Sequence, residues 1–295
     1  MTDKLQGCGT ALVTPFTKDG AIDEPALRKL VDWQIAEGIH FLVPCGSTGE
    51  AVTMSSAEHR RVVEITVEQA KGRVAVVAGA GSNDTAKAVA LSKEMKTAGA
   101  THLLHVSPMY NKPPQRGIVE HFKKIAGATD LPIVVYNVPG RTGGNIEAKT
   151  TLELATIENI VAVKEASGNL SQIADILRER PDRFSVLSGD DEMTLAVMAA
   201  GGDGVISVIS NATPMAMSCL CEAAARGDFA AARKLHFQLL AWMRAAFVES
   251  NPIPVKAAMA MLGKMENRLR LPLVPLAETH VESVRSALRA AGALG

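Results

Sequence analysis

The sequence has no net charge: its 295 residues hold 31 Lys and Arg against 31 Asp and Glu. Such a balance gives no electrostatic reason to expect nucleic acid or an anionic membrane surface as a partner. No apolar run approaches the roughly 18 residues that a bilayer-spanning helix needs. The stretch Met1-Thr2-Asp3-Lys4-Leu5-Gln6 has no apolar core of the kind a secretory signal carries, so the cytoplasm is the expected location. Cysteine is scarce. Cys8, Cys45, Cys219 and Cys221 are too few and too scattered for a disulfide framework in a chain this long. The Cys219-Leu220-Cys221 pair lacks the usual CxxC metal spacing, and all four are expected to be reduced, mostly buried thiols. No low-complexity linker interrupts the chain. Tyrosine occurs only twice, at Tyr110 and Tyr136.

What is present is a core-forming composition with a regular alternation. Hydrophobic residues make up 47% and charged residues 21%, the balance of a globular chain with a sizeable core. Apolar, β-rich runs fall at 9–13, 41–45, 74–78, 102–106, 133–136, 160–164, 184–187 and 205–208. Helical patterns lie between them at 24–36, 57–69, 84–98, 117–128, 170–179 and 192–200. Asp84 caps one of these and Gly99 closes it. Eight strand–helix units in this length favour an α/β fold of the (β/α)8 TIM-barrel type. An open doubly wound sheet is the competing architecture. Its fingerprint is incomplete, because Gly79-Ala80-Gly81-Ser82-Asn83 lacks the third glycine and the distant acid. From about Thr213 the alternation stops and the pattern becomes helical, broken at Asn251-Pro252-Ile253-Pro254 and Leu271-Pro272. The expected organisation is a catalytic barrel core over 1–212. The last barrel helix and further C-terminal helices, packed on the barrel, follow over 213–295.

Lys164 is the most informative residue. It ends the β-branched run Asn159-Ile160-Val161-Ala162-Val163-Lys164, which reads as a buried strand with Ile160, Ala162 and Lys164 on one face. Desolvation of an ammonium there lowers its pKa and exposes a nucleophilic amine, as a Schiff-base lysine requires. Snorkelling to solvent, or pairing with Glu165, is the plain alternative. Other polar residues fall at strand ends, where a barrel of this kind places its site. Ser47 and Thr48, between Gly46 and Gly49, could hold a carboxylate through hydroxyls and backbone N–H groups, or simply cap a turn. Tyr136 could shuttle protons or sit in the core. Arg141, on a Pro-Gly turn, could pair with a substrate carboxylate or remain a surface arginine. Tyr110 lies on a loop stiffened by Pro108, Pro113 and Pro114. No His, Cys, Asp and Glu cluster has metal spacing. His40, His59, His102, His105 and His121 are dispersed, and core or helix-surface roles are expected for them.

Gly46-Ser47-Thr48-Gly49-Glu50, the run 136–143, Val163-Lys164-Glu165-Ala166-Ser167-Gly168, Ser188-Gly189-Asp190-Asp191 and the run 204–208 follow one another at intervals that resemble a known family. It is the class I, pyruvate-dependent aldolase superfamily of N-acetylneuraminate lyase and dihydrodipicolinate synthase. The likeness covers nearly the whole chain, and the run 251–256 is similar to the synthase branch. The resemblance implies that Lys164 forms the imine with pyruvate, Tyr136 relays protons, and Thr48 holds the pyruvate carboxylate. It implies that Tyr110 reaches across a tight dimer interface to complete a relay with Tyr136 and the Ser47 hydroxyl. Arg141 resembles the group that binds the carboxylate of aspartate 4-semialdehyde, and Gly189 and Ile206 resemble positions that shape the pocket through backbone contacts. Pyruvate and aspartate 4-semialdehyde are then the substrates, 4-hydroxy-tetrahydrodipicolinate the product, and lysine and diaminopimelate biosynthesis the setting. No metal or organic cofactor is implied, and a homotetramer built as a dimer of dimers is.

Two departures bear on the details. The synthase branch usually has Thr-Thr where this chain has Ser47-Thr48, and the lyase and sugar-acid aldolase branches often have Ser-Thr. Another pyruvate aldolase therefore stands as the second reading, and a non-catalytic barrel as the third. Lysine-inhibited synthases use a glutamate and a tyrosine at positions that match Lys87 and Met109, while Asn83 and His59 are retained. A cation in place of that carboxylate repels the lysine ammonium, so weak or absent lysine inhibition is expected.

Overall fold

The computed structural model describes residues 4–295. Residues 1–3, the start of the stretch read for a secretory signal, lie outside them. Eight parallel strands, β1 (Gly7–Ala11), β2 (Phe41–Val43), β3 (Ala75–Gly79), β4 (His102–Val106), β5 (Ile133–Asn137), β6 (Ile160–Glu165), β7 (Ser185–Ser188) and β8 (Gly204–Ser207), close into a barrel in chain order. Closure pairs β8 with β1, Gly7 against Gly204 through Thr10 against Ser207. Helices α1 (Glu24–Ala36), α2 (Ser56–Ala70), α3 (Thr85–Thr97), α4 (Gln115–Ala126), α5 (Pro139–Thr142), α6 (Ala148–Ala155), α7 (Leu170–Glu179), α8 (Thr194–Ala199) and α9 (Pro214–Ala225) connect and surround the strands. The fold is a TIM barrel.

Local chemistry explains the frame. Asp23, Ser55, Asp84 and Asn169 each accept a backbone N–H at the start of a helix, and Ser55 with Glu58 forms a full capping box. Strand alternation splits the apolar residues into two layers. Phe41, Val43, Val77, Leu104, Val134 and Leu187 belong to the cluster that fills the barrel. Leu42, Leu103, Val135, Val163 and Val186 belong to the larger one between strands and helices. Gly9 is required by the filling: a Cβ there would lie 1.9 Å from the Phe41 ring.

One expectation about β6 is corrected. Ile160 does not share the face of Ala162 and Lys164. Ile133 pairs with Ile160 but Val134 pairs with Ala162, so β6 carries one extra residue at this point. That irregularity turns Ile160 into the outer layer and packs Val161 against the barrel interior. Beyond it the alternation is regular, and Ala162 and Lys164 are aimed inward. Helix α6, between β5 and β6, is not among the helices that the sequence pattern predicts. It is short, and its buried Thr150 and Thr151 blur the apolar stripe.

After α9 come α10 (Phe229–Ala245), α11 (Ile253–Met261) and α12 (Glu278–Ala290), with α10 packed on α9 and α12 on α10. They are fastened to the barrel by specific groups. Trp242, fully buried on α10, donates its indole N–H to the Ile209 carbonyl at 3.3 Å. Lys256, on α11, reaches Glu50 after β2. Among the described residues, no helix is long and apolar enough to cross a membrane.

Candidate active site

A cavity of about 370 Å³ opens at the C-terminal ends of the strands. Lys164 and Tyr136 stand side by side on its wall because β5 and β6 pair them directly, Tyr136 against Lys164. The lysine Nζ lies 4.2 Å from the centroid of the phenol ring. Lys164 is 5% exposed, so it does not snorkel. Burial lowers its pKa from 10.5 to about 7; the Asp191 carboxylate opposes that shift and the Arg141 guanidinium adds to it. Burial also pushes Tyr136 up to about 12, which leaves a neutral phenol that can both donate and accept.

Glu165 is not the partner of Lys164. It points to the opposite side of β6 and is 1% exposed. It accepts bonds from Asn137 Nδ2 at 3.0 and 3.2 Å, from the Ser167 N–H at 2.7 Å and from Gln172 Nε2 at 3.2 Å. The second buried lysine, Lys256, makes the contrast clear. Its Nζ meets Glu50 Oε1 at 2.5 Å and lies 4.2 Å from the centre of the Phe16 ring. Lys256 is therefore neutralised by a carboxylate, whereas Lys164 has no ion pair among the described residues.

Ser47 and Thr48 both line the cavity. Their loop begins at Cys45 and ends at Glu50, two non-glycine residues in the left-handed region, with φ of 57° and 56°. Such backbone persists only where surroundings over-determine it. Here Thr14 Oγ1 donates to the Gly49 carbonyl at 2.8 Å, and Glu50 is held by Lys256 and by the Arg270 N–H at 3.0 Å. Gly189 also lines the cavity. A Cβ on it would lie 2.7 Å from the Ala166 Cβ and 3.1 Å from both Cγ and Cε of Lys164. The glycine makes room for the lysine stem. Arg141, on α5, reaches the cavity mouth and donates through Nη2 to the Asn251 carbonyl at 3.2 Å.

Two of the expected residues have side chains that do not line the cavity of their own chain. Ile206 is fully buried in the barrel interior rather than on the cavity wall. Tyr110 is 90% exposed, with φ of 72°, and does not line the cavity of its own chain. Two further residues bear on the site without a role that local sequence assigns. Asp191, 2% exposed, accepts the N–H groups of Val208 and Ile209 at 3.0 and 3.2 Å, and burial raises its pKa to about 6. Its signal was the Ser188-Gly189-Asp190-Asp191 run after an apolar strand. Asn251 lines the cavity from the C-terminal segment, and its signal was the run 251–256, similar to the synthase branch.

No histidine lines the cavity. His59 bonds the Gly79 carbonyl at 2.8 Å, His105 bonds Ser92 at 3.2 Å and His121 bonds Thr85 at 2.9 Å. Cys8, Cys45 and Cys221 are buried thiols and Cys219 is exposed. Among the described residues, no group of three or more His, Cys, Asp or Glu is placed to hold a metal ion.

The structure is a closed (β/α)8 barrel with a buried lysine of lowered pKa beside a phenol, under a rim of hydroxyls and one guanidinium, an arrangement with the groups that imine chemistry on a small acid needs. Residues 4–291 match the model of the dihydrodipicolinate synthetase family. The 4-hydroxy-tetrahydrodipicolinate synthase of Koribacter versatilis is 56% identical over 274 residues, 92% of this chain and 91% of that one. The chloride-inhibited dihydrodipicolinate synthase of Acinetobacter baumannii, solved with pyruvate, superposes with a TM-score of 0.97 at 42% identity. The superposition covers 99% of this chain and 100% of that one. A monomeric dihydrodipicolinate synthase variant superposes with a TM-score of 0.96 at 43% identity, over 98% of each chain. This chain belongs to the dihydrodipicolinate synthetase family.

Proposed function

We propose that this chain is a 4-hydroxy-tetrahydrodipicolinate synthase that condenses pyruvate with L-aspartate 4-semialdehyde through an imine on Lys164. The observation that carries the reading is the buried Lys164 amine, unpaired, 4.2 Å from the Tyr136 ring. Its neutral form attacks the pyruvate ketone, and water leaves as the imine forms. Tyr136, a neutral phenol, passes protons to and from the reacting oxygen, with Ser47 as the next hydroxyl on the cavity wall. Thr48 holds the pyruvate carboxylate. Loss of a methyl proton gives the enamine, whose carbon attacks the aldehyde of the second substrate. Arg141, at the mouth, pairs with the carboxylate of that substrate. The substrate amine then displaces Lys164 by transimination and the cyclised product leaves. The protonated imine is the electron sink, so the sequence of steps calls on no metal or organic cofactor.

The remaining assignments are ours as well. Gly189 shapes the pocket by leaving space for the Lys164 stem, and Ile206 acts from the barrel wall through its backbone. Tyr110, projecting from its own chain, serves the relay of a neighbouring copy in a dimer of dimers. Lys87 and Met109 make lysine a weak inhibitor. The chain works in the cytoplasm, in lysine and diaminopimelate biosynthesis.

The test is direct. The protein is incubated with pyruvate, reduced with borohydride and digested, and the adduct is located by peptide mass. It is expected at Lys164; an adduct at Lys256, or none, overturns the mechanism. Turnover is then compared with aspartate 4-semialdehyde and with N-acetylneuraminate. Preferred cleavage of the latter would sink the substrate assignment.

A further inference from the structure

The C-terminal segment places one residue, Asn251, against both of the groups assigned to substrate carboxylates. Its side chain is 5% exposed and sits on the cavity wall. Asn251 Nδ2 donates to Thr48 Oγ1 at 2.9 Å, across 203 positions of sequence. Its main-chain carbonyl accepts from Arg141 Nη2 at 3.2 Å. Helix α11, which follows it, holds it there. Ile253, at the start of α11, is buried, and three residues further on Lys256 is locked to Glu50, on the same loop as Thr48.

The direction of the Thr48 bond has a chemical consequence. A hydroxyl that accepts an N–H keeps its own proton for another acceptor. Thr48 Oγ1 has no other hydrogen bond among the described residues, so that proton is free for an anion in the cavity. The amide has one sensible orientation. Its Oδ1 is buried and has no partner. Turning the amide over would bury an unpaired NH2 instead and would draw the Thr48 proton toward Asn251; unpaired buried N–H groups are rarer than under-satisfied carbonyls.

We propose that Asn251 is a positioning residue: its side chain orients the Thr48 hydroxyl to donate to the carboxylate of the keto acid, while its main-chain carbonyl holds Arg141 over the same cavity. The inference rests on the imine reading given above. It separates two effects of one residue. Changing the side chain removes the Thr48 bond and leaves the carbonyl to Arg141 in place.

The experiment uses the full chain and the variants N251D, N251A, T48V and N251A/T48V. Two readouts are taken: the pyruvate concentration that half-saturates borohydride trapping at Lys164, and KM for each substrate in turnover. N251D is isosteric but cannot donate, so it turns the Thr48 hydroxyl toward itself. N251D and N251A are each expected to raise half-saturating pyruvate roughly ten- to hundredfold, the value of a hydrogen bond to a charged group. KM for the semialdehyde is expected to stay within about threefold, and N251A is expected to add less than about threefold in the T48V background. Multiplying effects of N251A and T48V, or equal loss for both substrates, would overturn the proposal. If either Asn251 variant fails to fold, the other, with T48V, gives the same comparison. The trapping arm needs only pyruvate, so it tests Asn251 even if the wild-type chain fails to turn over the semialdehyde, an outcome that would fault the substrate assignment instead.

Discussion

Imine formation at Lys164 should follow the ionisation of a buried amine, and its pH profile can be worked out in advance. A lysine with its ordinary pKa of 10.5 is neutral in about one molecule in three thousand at pH 7, whereas one lowered to about 7 is neutral in about half. Burial therefore raises the reactive form roughly a thousandfold. With pyruvate saturating, the initial rate of borohydride-dependent trapping should rise about tenfold per pH unit below 7 and level off above about pH 8. The same shift has a stability consequence of definite sign. Between pH 7 and 10.5 the unfolded chain binds a proton at Lys164 that the folded chain does not, so the native state gains stability as pH rises through that window. Below pH 7 both forms are protonated and the full penalty, at most about 5 kcal/mol, stays in place. Lys164→Met removes it and should stabilise the protein at pH 7 by roughly 1–3 kcal/mol, with the advantage shrinking toward pH 10. Denaturant unfolding at the two pH values measures this. A trapping rate that climbs at unit slope through pH 9, or a methionine variant less stable than wild type at pH 7, would refute the reasoning.

Three further outcomes follow from the geometry. Gly189→Ala puts a methyl 2.7 Å from Ala166 and against the lysine stem, so Lys164 must shift. Overpacking of about 1–3 kcal/mol in melting and a trapping rate lower by roughly ten- to hundredfold are expected. Glu50→Gln leaves Lys256 buried and unpaired, which should cost about 3–5 kcal/mol and lower the melting temperature by about 10 °C. The double variant with Lys256→Met should recover part of that loss in the same melting assay. Arg141→Ala should reduce kcat/KM for the semialdehyde roughly ten- to hundredfold while pyruvate trapping survives. Because the Arg141 cation helps to lower the Lys164 pKa, the trapping profile of that variant should move to higher pH.

Much of this was legible before the fold was known, and particular residues show why. A lysine closing a β-branched run is conspicuous because burying its charge is costly, and strand alternation carries that information locally. The eight apolar runs with helices between them point to a barrel for the same reason: periodicity is written into neighbouring positions. Tyr136 closes one of those runs, and Ser47, Thr48 and Arg141 stand just past them, where such a barrel exposes its loops. The extra residue in β6 was not legible, since it depends on the register of β5 beside it. Nor was the short α6, where Thr150 and Thr151 interrupt the apolar stripe.

The order of the elements, the barrel, and the residues at its rim are consequences of local pattern, which the sequence by itself determined. The tertiary structure alone decided which of two buried lysines is left without an ion pair among the described residues. Lys256 meets a glutamate 206 positions away and Lys164 meets none. It alone brought Asn251 against Thr48 and Arg141, and it alone left Tyr110 projecting from its own chain. These facts turn on contacts between residues far apart in sequence. A charge, an amide or a phenol takes its chemistry from what stands within a few ångströms of it, and only the closed chain sets that distance.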